Sequence, residues 1–318
     1  MATLNKLLYK FTRLNRANTA YGKAPHKPVL LISIIELIEK GSVCDNRIYV
    51  NADLVGTFQE NWRLLVSTLH QPDFTQPFYY LQSEKVDGNQ LWFLQPKLGY
   101  SIPAHIKSVT KLAEVLEFGC FTQEVYSLLT DSVSRNVIKT ILLDTYFPET
   151  KKNLVRSKEK GDGYIHDLED YILNEPEAQL KRIKIETEED VFVRGGLFKK
   201  LVPKVYDSTC SFTGMRLENT FAHSFIDACH IVPFSVSHDD KVNNGIALCP
   251  NMHRAFDRGL VSVDADYRII ISDHITEDEN HPYGLKQLQG RKIRLPFGQR
   301  YYPSLENLEW HKEKIFKN

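Results

Sequence analysis

The sequence predicts an α+β fold, in which a part of mixed helices and a β-hairpin precedes a β-β-α segment. Three patterns indicate this fold. Residues 4–17 carry apolar side chains at helical spacing, Asp87-Gly88 marks a hairpin turn, and residues 226–264 read as two strands followed by a helix. A chain of 318 residues is long enough for two hydrophobic cores.

The first 150 residues predict a mostly helical domain. Residues 4–17 place apolar side chains on one side and basic ones opposite. Pro28 suits the start of a second helix and Gly41 its end, and the almost continuous apolar run between them predicts that this helix is buried. Further helices are predicted over residues 51–66, where an Asn or Asp caps the helix, 108–130 and 134–145.

Residues 78–95 predict a hairpin that turns at Asp87-Gly88. Residues 149–190 are rich in mixed charge and predict a connector with one helix near residues 165–173. The sequence therefore predicts three parts, which are a first domain over 1–150, a charged connector over 151–190 and a second domain over 191–318.

Composition excludes few functions. Lys plus Arg equals Asp plus Glu at 40 each, so the net charge gives no sign of a nucleic-acid partner, and any such surface must come from local clustering. The five cysteines are scattered, which favours a reducing compartment, and residues 1–16 lack a long apolar run. We therefore expect a cytoplasmic protein without a membrane partner.

The segment 226–264 concentrates residue types that suit phosphodiester hydrolysis. His230 lies in a predicted strand, and Asp227 and Cys229 share the opposite face of that strand. Asn244 opens the turn into the next strand, and His253 and Asp257 lie four residues apart on one face of the predicted helix. A histidine suits a general base, and imidazole with carboxylate suits a divalent metal.

This order of His, Asn-Gly and His-Arg-x-Phe-Asp resembles the HNH, or ββα-metal, nuclease motif. The resemblance implies that the second domain is an HNH endonuclease domain, with His230 as general base and Asn244 holding the loop or orienting that histidine. It implies that His253 and Asp257 ligate a catalytic metal.

The third metal ligand stays open at this point. Many HNH proteins have an acidic residue or a histidine directly before the base, where this chain has Cys229. We prefer Asp227 as the third ligand, with Cys229 as the alternative. A carboxylate favours magnesium or manganese, whereas a thiolate favours zinc, and cobalt or nickel are further alternatives.

Many HNH proteins also hold a structural zinc with two Cys-x-x-Cys pairs. Here Cys210 is followed by Thr213 where the second cysteine would stand, and Cys249 by Met252. Two thiols do not complete a four-ligand site, so no structural zinc is expected and the domain must hold its fold by packing.

The N-terminal segment RLNRANTAYGKAPHKPVLL, with QPFYYLQ and LWFL later in the chain, is similar to the sulfur-binding domains of type IV restriction endonucleases. Those domains recognise double-stranded DNA that carries a backbone phosphorothioate, and in that family a reader domain also precedes an HNH domain. The resemblance covers roughly residues 4–100 for the reader and 191–318 for the nuclease.

This resemblance implies a sulfur pocket beside positive charge. An apolar wall favours sulfur over oxygen because sulfur is larger and more weakly hydrated. Gln76 stands before Pro77 where the family has a Tyr-Pro pair, which leaves the base preference open. The candidate DNA-binding residues are Arg13, Arg16, His26 and Lys27 for the backbone charge or a base edge, with Pro77, Phe78 and Tyr80 for the pocket.

Together these observations predict a modification-dependent DNA endonuclease that reads phosphorothioate DNA. Two alternatives stay open, namely an HNH endonuclease that reads another modification such as a methylated base, and a non-catalytic DNA-binding protein with a decayed HNH fold. A single HNH site cuts one strand, so double-strand cleavage would require two sites, which a homodimer would supply.

Overall fold

The structure is a computed structural model that describes residues 2–174, 187–217, 225–278 and 283–318. The chain divides into two compact units. Met1–Asp167 with Ile185–Val193 form the first, and Leu168–Lys184 with Arg194–Asn318 form the second. Within the described ranges, no helix is long and apolar enough to cross a membrane. The predicted domain limits at residues 150 and 190 stay a prediction.

The first unit combines helices with three short strand pairs. The helices that begin in it are α1 (Ala2–Phe11), α2 (His26–Glu39), α3 (Ala52–Leu65), α4 (Thr75–Tyr80), α5 (Val109–Val115), α6 (Gln123–Thr130), α7 (Ser132–Tyr146), α8 (Lys151–Lys160), α9 (Tyr164–Leu173) and α10 (Glu188–Val205). The strands pair as β1 (Asn18–Thr19) with β2 (Gly22–Lys23), β3 (Lys85–Val86) with β4 (Asn89–Gln90), and β5 (Trp92–Pro96) with β6 (Leu116–Phe121), all antiparallel.

The second unit contains the end of α9, most of α10 and the C-terminal part of the chain. Its further helices are α11 (Phe234–Ser237), α12 (Pro250–Asp257) and α13 (Leu305–Lys314). Its strands pair as β7 (Asp227–His230) with β8 (Gly245–Leu248), and β9 (Val261–Val263) with β10 (Ile269–Ile271), both antiparallel.

The core of the first unit is built around α2 and a row of aromatic rings. Helix α2 is buried along nearly its whole length, as its apolar run predicts. Phe58, Phe74, Phe78 and Trp92 pack in series, with neighbouring ring centroids 5.1 to 5.6 Å apart. The Trp92 indole N–H donates to the carbonyl of Phe78, so the one polar atom of this row is satisfied.

The predicted hairpin is only partly right. Asp87 and Gly88 do form the turn, and both have positive φ values of 50° and 81°, as a two-residue hairpin turn requires. Residues 75–80, however, form helix α4 rather than the first strand. Phe78 and Tyr80 are residue types that favour strands, but they enter a helix because Phe78 packs between Phe74 and Trp92.

Two further predictions of secondary structure were wrong. Residues 108–130 do not form one helix, because β6 (Leu116–Phe121) separates α5 from α6 and pairs with β5. The predicted connector contains α8 in addition to the predicted helix near residues 165–173. Its residues 175–186 lie outside the described residues. In both places tertiary packing decides the outcome, which a single sequence does not display.

Candidate functional site

The β-β-α segment has the predicted order of elements. Strands β7 and β8 pair with Asp227 opposite Leu248 and His230 opposite Gly245. Helix α12 follows β8 directly, with Pro250 in its first turn, where a missing N–H is tolerated. The helix begins before His253 and ends at Asp257, so both candidate ligands lie on it, one turn apart.

His253 lies between two carboxylates. Its Nδ1 is 3.1 Å from Asp227 Oδ2, and its Nε2 is 3.3 Å from Asp257 Oδ2. Cys229 donates from its thiol to Asp257 Oδ1 at 3.5 Å. Ligand atoms of Cys229, His253 and Asp257 lie within 4.8 Å of one another, which makes them a group that fits one metal ion. Asp227 stands beside this group, at the other nitrogen of His253.

The chemistry of these donors fits a divalent cation held by nitrogen and oxygen. Cys229 is fully buried, and its pKa is raised well above the ordinary thiol value by burial and by the negative charge of Asp257. A thiol with a raised pKa serves as a hydrogen-bond donor, here to Asp257. The carboxylates and the imidazole remain as donors, and Mg²⁺ or Mn²⁺ accepts both types.

His230 is held by a buried charged pair that the sequence analysis missed. Its Nε2 is 2.8 Å from Asp240 Oδ1, and Asp240 Oδ2 accepts from Arg194 Nε at 2.7 Å. Asp240 is 2% exposed. The ring of Phe198 stacks on the His230 ring with centroids 3.9 Å apart and planes 9° apart. Because a carboxylate only accepts, Nε2 carries the hydrogen and Nδ1 keeps its lone pair.

Asn244 fixes the loop that carries Asp240. The Asn244 side chain is fully buried, accepts from the N–H of Val232 at 2.9 Å, and donates to the carbonyls of Val232 and Asp239, both at 3.0 Å. Asn307 donates to the same Asn244 oxygen at 3.1 Å. These bonds tie residues 232–240 into one conformation. This geometry fits a residue that holds the loop, which also carries Asp240.

One cavity, which we call the nuclease cavity after the predicted nuclease motif, is lined by both His230 and His253. It has a volume of about 450 Å³, and its lining includes Lys199, His230, His253, Asp257 and His311. Lys199 brings a cation to a cavity that otherwise presents imidazoles and a carboxylate. The general-base candidate on β7 and the metal-binding candidates on α12 therefore face the same space.

The two cysteines compared with zinc ligands lie next to each other. Cys210 and Cys249 are buried, and the Thr213 N–H donates to Cys210 Sγ at 3.5 Å. A hydrogen bond from Cys249 lowers the pKa of Cys210 to about 5, and the same bond raises the pKa of Cys249. Thr213 and Met252 occupy the positions where a second thiol of each pair would be needed for a four-ligand site.

A second cavity, in the first unit, collects five of the seven candidate DNA-binding residues. It has a volume of about 600 Å³ and is lined by Asn15, Arg16, Ala17, Ala24, His26, Lys27, Gln76, Pro77, Tyr80, Ser83 and His105. We call it the reader cavity, after the reader domain that the sequence predicts. His105 was missed by the sequence analysis because only folding brings it to Tyr80, with ring centroids 5.5 Å apart.

The two cationic side chains that line the reader cavity, Lys27 and Arg16, differ in whether a carboxylate neutralises them. Lys27 pairs with the buried carboxylate of Glu84, which also pairs with Lys10 at 2.6 Å. Burial lowers the pKa of Lys27, and the bond to Glu84 opposes that shift. Arg16 lies 4.5 Å over the Tyr146 ring and has no carboxylate partner among the described residues. Arg16 is therefore the cation of this cavity that is available to an anion.

His26 presents an acceptor rather than a charge. Its Nε2 donates to the carbonyl of Gln71 at 3.0 Å, and burial lowers its pKa. Its Nδ1 is buried without a hydrogen-bond partner among the described residues. A neutral imidazole with a free Nδ1 accepts a hydrogen bond from a ligand, but it does not neutralise a phosphate.

Two candidate DNA-binding residues lie away from the reader cavity. Phe78 is fully buried in the aromatic row, so it supports the wall behind Pro77 and does not contact a ligand directly. Arg13 is exposed and lies 4.2 Å over the ring of Tyr9. For Phe78 the prediction of direct DNA contact needs correction, because helix α4 turns it inward.

Comparisons with known proteins support the nuclease assignment of the second unit. Residues 210–264 match the family model HNH_2, described as HNH endonuclease. The chain is 24% identical over 132 residues to the type IV methyl-directed restriction enzyme EcoKMcrA of Escherichia coli strain K12, and the match covers 41% of this chain and 46% of that enzyme. The chain therefore spans about half the length of this curated relative.

A solved structure is also similar to part of the chain. The modification-dependent TagI restriction endonuclease is 21% identical, the match covers 37% of each chain, and the TM-score is 0.29. The predicted HNH resemblance is confirmed for residues 210–264. We conclude that the chain contains an HNH endonuclease domain and is similar, over part of its length, to a type IV methyl-directed restriction enzyme.

His311 lines the nuclease cavity as a buried, neutral residue. Its ring stacks on Phe256 with centroids 3.6 Å apart, its Nε2 donates to the Phe256 carbonyl at 3.1 Å, and its Nδ1 accepts from Ser262 at 2.9 Å. Burial lowers its pKa to about 4. The folded protein therefore resists protonation at His311, whereas an unfolded histidine takes up a proton near pH 6.5.

We expect His311 to make the protein less stable in acid. The neutral His311 contributes fully to the free energy of unfolding above pH 6.5, and this contribution falls as the pH drops towards 4. The free energy of unfolding should be lower by about 2 to 3 kcal/mol at pH 4.5. Urea unfolding at pH 7.5 and pH 4.5 measures this loss. His311→Asn removes the titrating group, so the variant should lose less stability between the two pH values than the parent. Equal losses would contradict the assignment.

Proposed function

We propose that this chain is a modification-dependent DNA endonuclease whose second unit hydrolyses phosphodiester bonds. The observation that carries the proposal is that His230, His253 and Asp257 line one cavity within the segment that matches the HNH family. A general base and a metal-binding group must lie close together for metal-assisted hydrolysis, and this arrangement meets that requirement.

In the proposed reaction His230 takes a proton from the attacking water at Nδ1. Asp240 holds the Nε2 hydrogen and favours the positive charge that the ring gains, and Arg194 donates to the other oxygen of Asp240. Phe198 fixes the plane of the ring by stacking. Lys199 lines the same cavity, where its charge favours the approach of a phosphate.

The carboxylate of Asp257 and Nε2 of His253 are the groups that would hold the metal. Such a cation stabilises the charge that develops on the phosphate and on the leaving oxygen. The Cys229 thiol fixes one oxygen of Asp257, and the other oxygen faces His253. Asp227 either completes the ligand set, as its position in the sequence predicts, or holds His253 at Nδ1, where it lies in the structure.

The reader cavity is proposed to bind DNA that carries a phosphorothioate. Pro77 and Tyr80 supply an apolar wall, and Arg16 supplies a charge that no carboxylate among the described residues neutralises. Sulfur costs less to bury than oxygen, so this combination favours a phosphorothioate over a phosphate. His26 Nδ1 is able to accept a hydrogen bond from a base edge.

The direct test compares a phosphorothioate-modified plasmid with the same plasmid unmodified, in Mn²⁺ or Mg²⁺. We expect the chain to cut the modified plasmid and to leave the unmodified plasmid intact. His230→Ala should bind the modified DNA without cutting it, because the general base is lost while the reader cavity is unchanged.

A matched pair of variants tests the reader cavity itself. Arg16→Gln should weaken binding to the modified duplex, whereas Arg47→Gln, at an exposed arginine that also lies over an aromatic ring but outside the cavity, should bind as the parent does. Equal cutting of both plasmids would keep the nuclease and remove the sulfur reader. The absence of cutting with either metal would favour the non-catalytic alternative.

A second candidate function differs only in the modification that is read. The relative EcoKMcrA is named as a methyl-directed restriction enzyme, which favours a methylated base as the mark. A base that leaves the stack would need aromatic rings to receive it, and the reader cavity offers Tyr80 and His105. Binding to hemimethylated, fully methylated and phosphorothioate duplexes of one sequence separates the two candidates.

Asp240→Asn is a sharp test of how His230 is positioned. Arg194 Nε requires an acceptor, so the new amide would turn its carbonyl to Arg194 and its NH₂ to His230. The histidine hydrogen would then move to Nδ1, where it blocks proton uptake. We expect the cleavage rate to fall roughly 10²- to 10⁴-fold with unchanged DNA affinity.

The control for this test is Asp239→Asn, at the neighbouring carboxylate. Asp239 accepts from the N–H of Lys241 at 2.9 Å, and an amide oxygen can accept the same bond. This variant should therefore cut at the parental rate. Equal activity of the two variants would contradict the positioning role of Asp240.

A further inference from the structure

Helix α12 presents two different faces to two different cavities. His253 and Asp257 face the nuclease cavity, whereas Arg254 and Arg258, each one residue further along, line a separate groove. A step of one residue rotates a helical position by about 100°, so the two pairs diverge from the same helix. The groove has a volume of about 870 Å³ and is larger than the nuclease cavity.

The groove is strongly cationic, and we call it the arginine groove. Arg254, Arg258 and Arg291 are exposed and line it together, and none of them has a hydrogen-bonded or ion-paired side-chain partner among the described residues. No Asp or Glu stands among its described lining residues. Three guanidinium groups that line one groove without counter-charges favour the binding of an anionic partner.

The backbone around the groove holds these arginines in place. The N–H of Ile269 donates to the Arg291 carbonyl, and the Arg291 N–H donates to the carbonyl of Leu288. Gly259 follows α12 with a positive φ of 70°, and a side chain there would collide with the Ile315 carbonyl at 1.9 Å.

Glu277 lies near the groove, and backbone groups already occupy its carboxylate. Glu277 approaches Gly284, which is part of the lining. Its two oxygens accept from the N–H groups of Leu285 and Lys286, at 2.6 and 2.7 Å. Because Glu277 is bonded to these backbone donors, it does not pair with the three arginines.

The floor of the groove is apolar. Met252, Ala255 and Leu288 are buried beneath the arginines. A guanidinium that lies over apolar surface is less hydrated and binds a phosphate in a two-pronged manner. The chemistry therefore fits a chain of phosphodiesters rather than a small metabolite, since the charges are spread along one helix edge and one adjoining loop.

We infer that this arginine groove binds the phosphodiester backbone of duplex DNA beside the nuclease cavity. The inference rests on the proposed nuclease function, and it assigns to Arg254, Arg258 and Arg291 a site that is distinct from His230 and from the metal-binding group. The groove binds phosphates irrespective of the base sequence and of a modification elsewhere in the duplex. Contacts to the unmodified backbone carry no information about either of them.

The test is the salt dependence of DNA binding in EDTA, where no cleavage occurs. The full-length chain and the triple variant Arg254→Gln, Arg258→Gln, Arg291→Gln are titrated with an unmodified and a phosphorothioate duplex of one sequence. The plot of log K against log salt has a negative slope, and each lost phosphate contact makes it shallower by about 0.9. The slope of the triple variant should therefore be shallower than that of the parent by about 2 to 3. Affinity should fall by the same factor for both duplexes.

A matched control removes the same charge elsewhere. Lys312, Lys314 and Lys317 are exposed and do not line the arginine groove, so the triple Lys→Gln variant should keep the parental slope. Single variants Arg254→Gln and Arg258→Gln, each expected to lower the slope by about 1, cover the case in which the triple variant fails to fold. An unchanged slope in the arginine variants, or an equal loss in the lysine control, would overturn the inference.

These results are separable from the fate of the proposed function. If the parent chain does not discriminate between the two duplexes, the reader proposal fails, while a smaller slope in the arginine variants still supports the groove. If discrimination is present and the slope is unchanged, the reader proposal stands and the groove does not bind DNA.

Discussion

The candidate nuclease centre depends on the position of His253 between two carboxylates. Asp227 on β7 and Asp257 on α12 approach opposite nitrogens of the same imidazole, at 3.1 and 3.3 Å. These contacts join the strand pair to the helix, so the packing of the β-β-α segment also brings the candidate metal ligands together. Two carboxylates near one site repel each other, and a shared imidazole or a divalent cation relieves that repulsion. The buried Cys229 thiol adds a hydrogen bond to Asp257 and orients its other oxygen.

The second half of the centre is built by a loop rather than by regular structure. Asn244 ties residues 232–240 together from its buried amide, and the same loop carries Asp240 to His230. Arg194 completes the arrangement from α10. A buried Asp–Arg pair costs desolvation unless every charge is bonded, and here each oxygen of Asp240 has one charged or imidazole partner. In the proposed mechanism the Asp240–Arg194 pair has a function, because Asp240 selects the tautomer of His230, the candidate base.

The sequence was sufficient for features that depend on local spacing. The positions of His230, His253 and Asp257 follow from strand alternation and helical repeat, and the buried helix α2 follows from its apolar run. Features that depend on long-range contacts were not accessible. Asp240 contacts His230 ten residues away through a loop that has no repeating pattern. Residues 75–80 carry strand-forming side chains but pack as a helix around Phe78, and His105 reaches the reader cavity from a segment with no regular pattern. The outward arginines of α12 became informative only once their carboxylate-free surroundings were visible.

The most direct test of the central claim is a measurement of Mn²⁺ binding to the full-length chain by electron paramagnetic resonance. The account predicts that one tightly bound Mn²⁺ per chain is lost in His253→Ala and in Asp257→Ala, because both donors belong to the metal-binding group. It predicts that Cys229→Ala retains the ion, since the thiol orients Asp257 through a hydrogen bond and the imidazole and carboxylate supply the ligands. Undiminished binding in both of the first two variants, or loss of the ion in Cys229→Ala alone, would contradict the account.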